Sequence, residues 1–165
     1  MRRCQQLNPS ENPGRQFSGA RCQRRSLAST GSKAGDRRAQ ANGFRGRDDW
    51  GTFRSVLSGL RKGCPAAKPV VVRLSKLPPN ILGDCARRRE RFVIRVSRDL
   101  DHDAAIEVLC HEWSHALAWN FTLDRLARDP SIDKKTFDLA CHDEAWGCAY
   151  SKVWRHFTVE IAPNL

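Results

Sequence analysis

The chain has 165 residues, 40% of them hydrophobic, and a formal net charge of +11. This length suits one domain with a buried core, and the absence of a long apolar window argues against a signal peptide or a membrane span. Its seven cysteines are odd in number and form no C-x-x-C pair. The sequence therefore favours a reduced, cytoplasmic protein without a cysteine-ligated zinc ribbon.

The positive charge is concentrated near the amino terminus. Residues 1–47 hold eleven Lys and Arg against two acidic residues, a net charge of +9, whereas residues 48–165 carry only +2. Residues 1–47 also have almost no aliphatic side chains, so they are predicted to form a disordered basic tail. Such a tail can neutralise the phosphates of a nucleic acid, or it can be a solvated leader without a partner. The folded domain is predicted over 48–165.

The first half of this domain alternates between helical and extended patterns. Apolar residues at helical spacing predict a helix over 49–62. A β-branched run predicts a strand over 70–74, and alternating apolar residues predict another over 92–96. The segment 81–91 is compatible with a short strand, with its arginines 87–89 in a hairpin turn.

The second half is predominantly helical. A long helix is predicted to begin near Asp101 or Asp103, because either side chain can cap it and complement its dipole. The polar segment 124–138 resembles an insertion with one short helix, and a last helix is predicted over about 138–157. The expected architecture is α+β: an N-terminal helix, a small antiparallel sheet, and two helices packed on the sheet.

The long helix contains the sequence HEWSH at 111–115. His111 and His115 are four residues apart, so both imidazoles project from the same helical face and can reach one metal ion. The carboxylate of Glu112 can then take a proton from a water on that metal. The spacing predicts a zinc-dependent hydrolase site, and the alternative is two helix-face histidines with ordinary hydrogen bonds.

A catalytic zinc needs a third protein ligand, and the sequence CHDE at 141–144 offers several. On a helix, His142 shares a face with Trp146 and Val153, whereas Glu144 points roughly 200° away from His142. Burial of the apolar face therefore favours His142, which would complete a three-histidine set. Glu144 stays as the alternative ligand, as in thermolysin-like sites, and a Cys141 thiolate is less suited to a hydrolytic zinc.

Peptide hydrolysis also needs a donor that stabilises the oxyanion of the transition state. Tyr150 is the only tyrosine of the chain, and it lies with His156 on or near the predicted last helix. Tyr150 is therefore a candidate transition-state stabiliser. The alternative is a core aromatic residue whose hydroxyl reaches the surface.

The two motifs together resemble a known family. HEWSHALAW at 111–119, followed by HDEAW at 142–146, is similar to the paired motifs of the SprT-like zinc metallopeptidases, and the resemblance covers about 48–158. It implies a zincin-like fold, one zinc ion and cleavage of peptide bonds. The implied site consists of three zinc ligands and a general base: His111, His115, His142 and Glu112.

The family includes a protease that degrades proteins crosslinked to DNA, so proteins associated with DNA are among the implied substrates. Asp143 stands where the family usually has Gly, and no cysteine-rich zinc module follows, as in phage or bacterial members. Two other functions are compatible with the residues. One is a non-catalytic zinc-containing module associated with DNA, and the other is a thermolysin-like, repressor-cleaving peptidase that uses Glu144.

Overall fold

The computed structural model describes residues 20–22 and 47–165. In chain order the elements are β1 (Ala20–Cys22), α1 (Arg47–Gly63), β2 (Val70–Ser75), β3 (Gly83–Arg88), β4 (Arg91–Ser97), α2 (His102–Ala118), α3 (Phe121–Leu126), α4 (Lys134–Ala140), α5 (Glu144–His156), a π-helical segment (Phe157–Ile161) and a 3-10 helix (Ala162–Asn164). This is the predicted α+β class. Within the described ranges, no helix has the length and apolar character needed to cross a membrane.

The sheet has the strand order β1-β3-β4-β2. β3 and β4 form an antiparallel hairpin, but the prediction that arginines 87–89 lie in its turn is wrong for Arg87 and Arg88, which pair with β4 at the end of β3. β2 runs parallel to β4, with Val70 opposite Phe92. The prediction of a purely antiparallel sheet is therefore wrong. The reason is topological. The chain reverses direction between β2 and β3 and again between β3 and β4, so β2 and β4 run in the same direction. β2 pairs with the side of β4 that β3 leaves free.

The strand β1 lies inside the segment that the composition predicts to be disordered. It pairs antiparallel with β3, with Ala20 opposite Cys85 and Cys22 opposite Gly83. These three residues depart from the prediction because a strand can form by pairing with a sheet edge, which local composition does not reveal. The predicted disorder and nucleic-acid contacts of 1–19 and 23–46 lie outside the described residues.

Capping side chains set the helix boundaries. α2 begins after Asp101, whose carboxylate accepts a hydrogen bond from the Ala104 amide at 2.8 Å. Of the two predicted cap residues, Asp101 is therefore the N-cap. The single last helix predicted over 138–157 is wrong, because the chain divides it into α4 and α5. The Asp143 carboxylate accepts from the Trp146 amide at 3.0 Å and thereby starts α5.

The helices α1, α2 and α5 pack together with the sheet around one main core. Its most deeply buried side chains, all with relative exposure of 2% or less, include Phe53, Val56, Leu60, Phe92, Ile94, Val96, Leu109, Trp113 and Val153. A second, smaller cluster under α3 and α4 consists of Leu123, Phe137 and Cys141. This second cluster matters for the site, because it fixes the chain immediately before residue 142.

Trp113 is expected to be a major contributor to stability. It is 1% exposed, and its indole N–H donates to the Cys64 carbonyl at 2.8 Å, which ties α2 to the end of α1. Trp113→Phe removes the donor and leaves a buried carbonyl unsatisfied, so the free energy of unfolding should fall by about 2 kcal/mol. Urea unfolding in chelator measures this loss. The control Trp154→Phe, at a half-buried position, should lose less than about 1 kcal/mol.

Candidate metal centre

Three histidines converge at the carboxyl-terminal half of α2. His111 and His115 lie one turn apart on this helix, and His142 reaches them from the turn between α4 and α5. The Nε2 atom of His111 lies 3.2 Å from Nε2 of His115 and 3.4 Å from Nε2 of His142. One ligand atom from each of the three residues lies within 4.8 Å of the others.

These distances suit a shared metal ion. Two nitrogens bound at 2.0–2.1 Å in tetrahedral geometry are separated by roughly 3.3 Å, close to the two separations that involve His111. The three imidazoles can hold a metal ion. In the part of the chain that the structure describes, no other group of three His, Cys, Asp or Glu side chains comes together in this way.

The ring orientation of His142 is fixed from α4. Its Nδ1 lies 2.7 Å from the carbonyl oxygen of Asp138. Because a carbonyl only accepts, Nδ1 carries the proton and donates, and the lone pair of Nε2 faces the other two histidines. An outer-shell hydrogen bond of this kind is the usual support of a histidine that binds a metal.

His115 is prepared for binding by its surroundings. It is 5% exposed, and burial lowers the pKa of its imidazole well below the ordinary value, with further lowering by His111 and His142 and a smaller opposing effect of a hydrogen bond with the Cys141 backbone. The ring is therefore neutral at neutral pH. Since a metal binds the neutral imidazole, no proton has to be removed from His115 on binding.

Glu112 follows His111 directly in α2, and its carboxylate lies in a different environment. It is 2% exposed, and its Oε2 atom is buried and has no hydrogen-bond partner in the part of the chain that the structure describes. Burial, and secondarily the charge of Asp84, raises the pKa of this carboxyl well above its ordinary value. A buried oxygen without a partner is unfavourable and is often found where chemistry takes place. A cation on the three histidines would favour the ionised carboxylate.

Asp84 is a residue of this site that the sequence did not indicate. It is 1% exposed and pairs across the hairpin with Arg95, whose Nε donates to Oδ1 at 2.8 Å and whose Nη2 donates to Oδ2. Only the strand register brings these two residues together. Gly83, beside it, lets α2 approach, because a Cβ there would lie 2.5 Å from Cγ1 of Val108 and 3.0 Å from Cγ of Glu112.

The other three residues of the CHDE sequence lie outside the histidine group. Cys141 is buried in the small cluster under α3 and α4, and its thiol lies 3.4 Å from the Asp138 carbonyl. Asp143 is the N-cap of α5. Glu144, the alternative ligand, is an exposed residue on the first turn of α5.

Aromatic side chains of α5 cover the cluster. The centroid of the Tyr150 ring lies 6.1 Å from that of His111, and Tyr150 stacks on Trp146 at 5.1 Å. The indole Nε1 of Trp146 is buried and has no hydrogen-bond partner among the described residues. His156, by contrast, is directed toward α1, since its Nε2 lies 3.2 Å from the Gly59 carbonyl oxygen. His156 therefore belongs to the packing between α1 and α5.

Comparisons of the chain with protein-family models, curated protein sequences and solved structures found no match. The resemblance to SprT-like peptidases therefore depends on the two sequence motifs. The convergence of the three histidines depends on the geometry of α2 and of the turn before α5.

Proposed function

We propose that this protein is a zinc-dependent metallopeptidase of the SprT-like type, with a zincin-like arrangement of sheet, motif helix and third ligand. One observation carries the proposal: the helix that supplies two of the three convergent imidazoles also carries, directly after His111, a buried glutamate whose Oε2 has no hydrogen-bond partner among the described residues. A purely structural metal site needs the imidazoles but has no use for such a carboxylate. A hydrolytic site needs both.

Zinc is the proposed metal because all three donors are imidazole nitrogens, and because three protein ligands leave a fourth position open, as in catalytic zinc sites. The ion would supply Lewis acidity and lower the pKa of water bound there. The residues that would hold it are His111, His115 and His142.

The side chains around the ligands have distinct proposed roles. Glu112 accepts the proton of the water that attacks the peptide carbonyl, and later returns it to the leaving amine. The Trp146 indole N–H and the Tyr150 hydroxyl are the candidate donors to the oxyanion, since both aromatic rings lie against His111. The Asp84–Arg95 pair holds β3 and β4 in register beneath the carboxylate.

The proposed substrate is a polypeptide in extended form. Nucleic acid is a proposed partner of the basic residues 1–47, because their net charge of +9 can neutralise phosphates. Such contacts would bring the peptidase to proteins bound to DNA, the substrate class that the family resemblance implies.

Metal removal tests the proposal. Protein loaded with zinc should contain about one ion per chain and should hydrolyse an unfolded protein such as reduced casein. A chelator should stop hydrolysis, and added zinc should restore it. At free zinc a hundred times the dissociation constant, binding stabilises the fold by about 2.7 kcal/mol, so the melting temperature should fall in chelator.

A chain with both His111 and His115 replaced by Ala is the control, and its melting temperature should be the same with and without chelator. Stoichiometric zinc without hydrolysis of any unfolded protein would contradict the peptidase and favour a structural metal.

A further inference from the structure

The strand β3 carries a segment of the protein's own amino-terminal region on its outer side. β3 pairs with β4 on one side and with β1 on the other, in the register Ala20 to Cys85, Arg21 to Asp84 and Cys22 to Gly83. Without β1, these β3 residues would present unpaired backbone amides and carbonyls at a sheet edge. The β1 strand is thus the only described segment that covers this edge.

This part of β3 borders the candidate site. A Cβ at Gly83, opposite Cys22, would lie 3.1 Å from Oε1 of Glu112, so the β3 backbone is in contact with the proposed base. β1 also lies close to α4, the helix whose Asp138 carbonyl orients His142. β1 therefore lies against two elements of the candidate site, β3 and α4.

An extended peptide commonly binds a protein by adding a strand to a sheet edge, through main-chain hydrogen bonds. The described sheet has two edges, and the edge opposite β1 is formed by β2. β2 is two strand spacings from β3, roughly 10 Å, and so lies farther from Glu112. The β3 edge is the one that can place a peptide bond beside the base.

We infer that Ala20–Cys22 is a blocking strand, which occupies in cis the β3 edge that an extended polypeptide must pair with, so that β1 has to leave before a substrate binds. The inference rests on the proposed function only for the hydrolysis of the bound polypeptide, and not for its binding. Three paired residues make a small contact, which a longer peptide can replace. Because β1 belongs to the same chain, it competes at an effective concentration on the order of millimolar.

The test disrupts β1 in the full-length chain. Ala20→Pro/Arg21→Pro removes two consecutive backbone N–H donors. Alternate N–H groups of a strand point to the neighbouring strand, so one of these two donors faces β3 and its hydrogen bond is lost. Arg25→Pro/Ala28→Pro is the matched control, since it also exchanges one Ala and one Arg for proline outside β1 and keeps the same net charge. All three chains carry Glu112→Gln and zinc, and the binding of fluorescein-labelled, reduced casein is measured by anisotropy.

The β1 variant should bind casein at least about threefold more tightly than the control and the parent. In the parent, the molecules whose β3 edge is covered by β1 cannot bind, and this covered fraction lowers the apparent affinity. Amide hydrogen exchange within 83–85, the residues that β1 covers, should also become faster in the β1 variant alone. Equal affinity in the three chains, or no binding by any of them, overturns the inference, as does unchanged exchange within 83–85.

The same variants with Glu112 intact separate this inference from the proposed function. Tighter binding and faster exchange without hydrolysis by any chain would refute the peptidase and leave the blocking strand standing. Hydrolysis by all chains at one rate, with equal affinity, would refute the blocking strand and leave the peptidase standing. Far-UV circular dichroism and zinc content verify that each variant is folded.

Discussion

Replacing Glu112 by Gln is expected to abolish peptide hydrolysis while one zinc ion per chain stays bound. Gln has nearly the same shape as Glu and leaves the three imidazoles untouched, but it cannot take a proton from water. Loss of a general base lowers kcat by about 10²- to 10⁴-fold. The measurement is casein hydrolysis at saturating substrate, together with zinc content by metal analysis.

A pH series in chelator provides an independent readout on the same variant. Burial raises the pKa of Glu112 above its ordinary value of 4.5, so the folded state binds more protons than the unfolded state in the range above that value. The Glu112 contribution to the parent's stability should therefore fall as pH rises from about 4.5 toward the raised pKa. Glu112→Gln cannot ionise, so the unfolding free energy of the parent relative to that of the variant should fall over this range. His115, whose pKa is lowered by burial, contributes to both chains and cancels in the comparison.

Hydrolysis by Glu112→Gln at the parental rate would exclude Glu112 as the base. If parent and variant both bind zinc but neither hydrolyses protein, the second hypothesis, a non-catalytic zinc-containing module associated with DNA, becomes the better account. In that case the remaining activity to measure is DNA affinity, and deletion of the basic residues 1–45 should reduce that affinity and its salt dependence.

Replacing His142 by Ala is expected to weaken zinc binding by more than a hundredfold. Loss of an outer-shell partner already costs about 10- to 100-fold in metal affinity, and His142 contributes one of the three converging nitrogens itself. Competition with a zinc-binding dye measures the affinity. Because His142 lies in a turn and is only half-buried, the variant should remain folded.

Glu144→Ala is the matched control, two residues away. Glu144 is exposed on the first turn of α5 and lies outside the histidine group, so zinc affinity should stay within about threefold of the parent. Loss of zinc in Glu144→Ala with retention in His142→Ala would exclude the three-histidine set. That result would favour the thermolysin-like alternative.

The elements with strong local signals could be predicted from the sequence. The helical period gave the positions of α1 and α2 to within a few residues, since each helix buries one apolar stripe. The hairpin β3–β4 was only partly predicted, because Gly83 to Ala86 are all buried and lack the alternation that marks a half-exposed strand. The end of α4 was missed, although Asp143 is a typical N-cap residue and could have indicated the start of α5.

The sequence by itself determined the pair His111 and His115, because four residues make about one helical turn and place both rings on one face. It could only favour His142 over Glu144. The tertiary structure decided that His142 meets the pair, since this depends on the packing of Cys141 under α3 and α4 and on the Asp138 carbonyl. Contacts between residues distant in sequence follow from how the elements pack, and no local pattern encodes them.

The same reason applies to the surroundings of Glu112. Its contact with Gly83, the charge of Asp84 and the Asp84–Arg95 pair all arise from the position of α2 on β3 and from the strand register. The pairing of β1 with β3 depends on an available sheet edge and not on the composition of the basic segment. The sequence thus determined which chemical groups are present, and the packing of α2, β3 and the turn before α5 decided which of them meet.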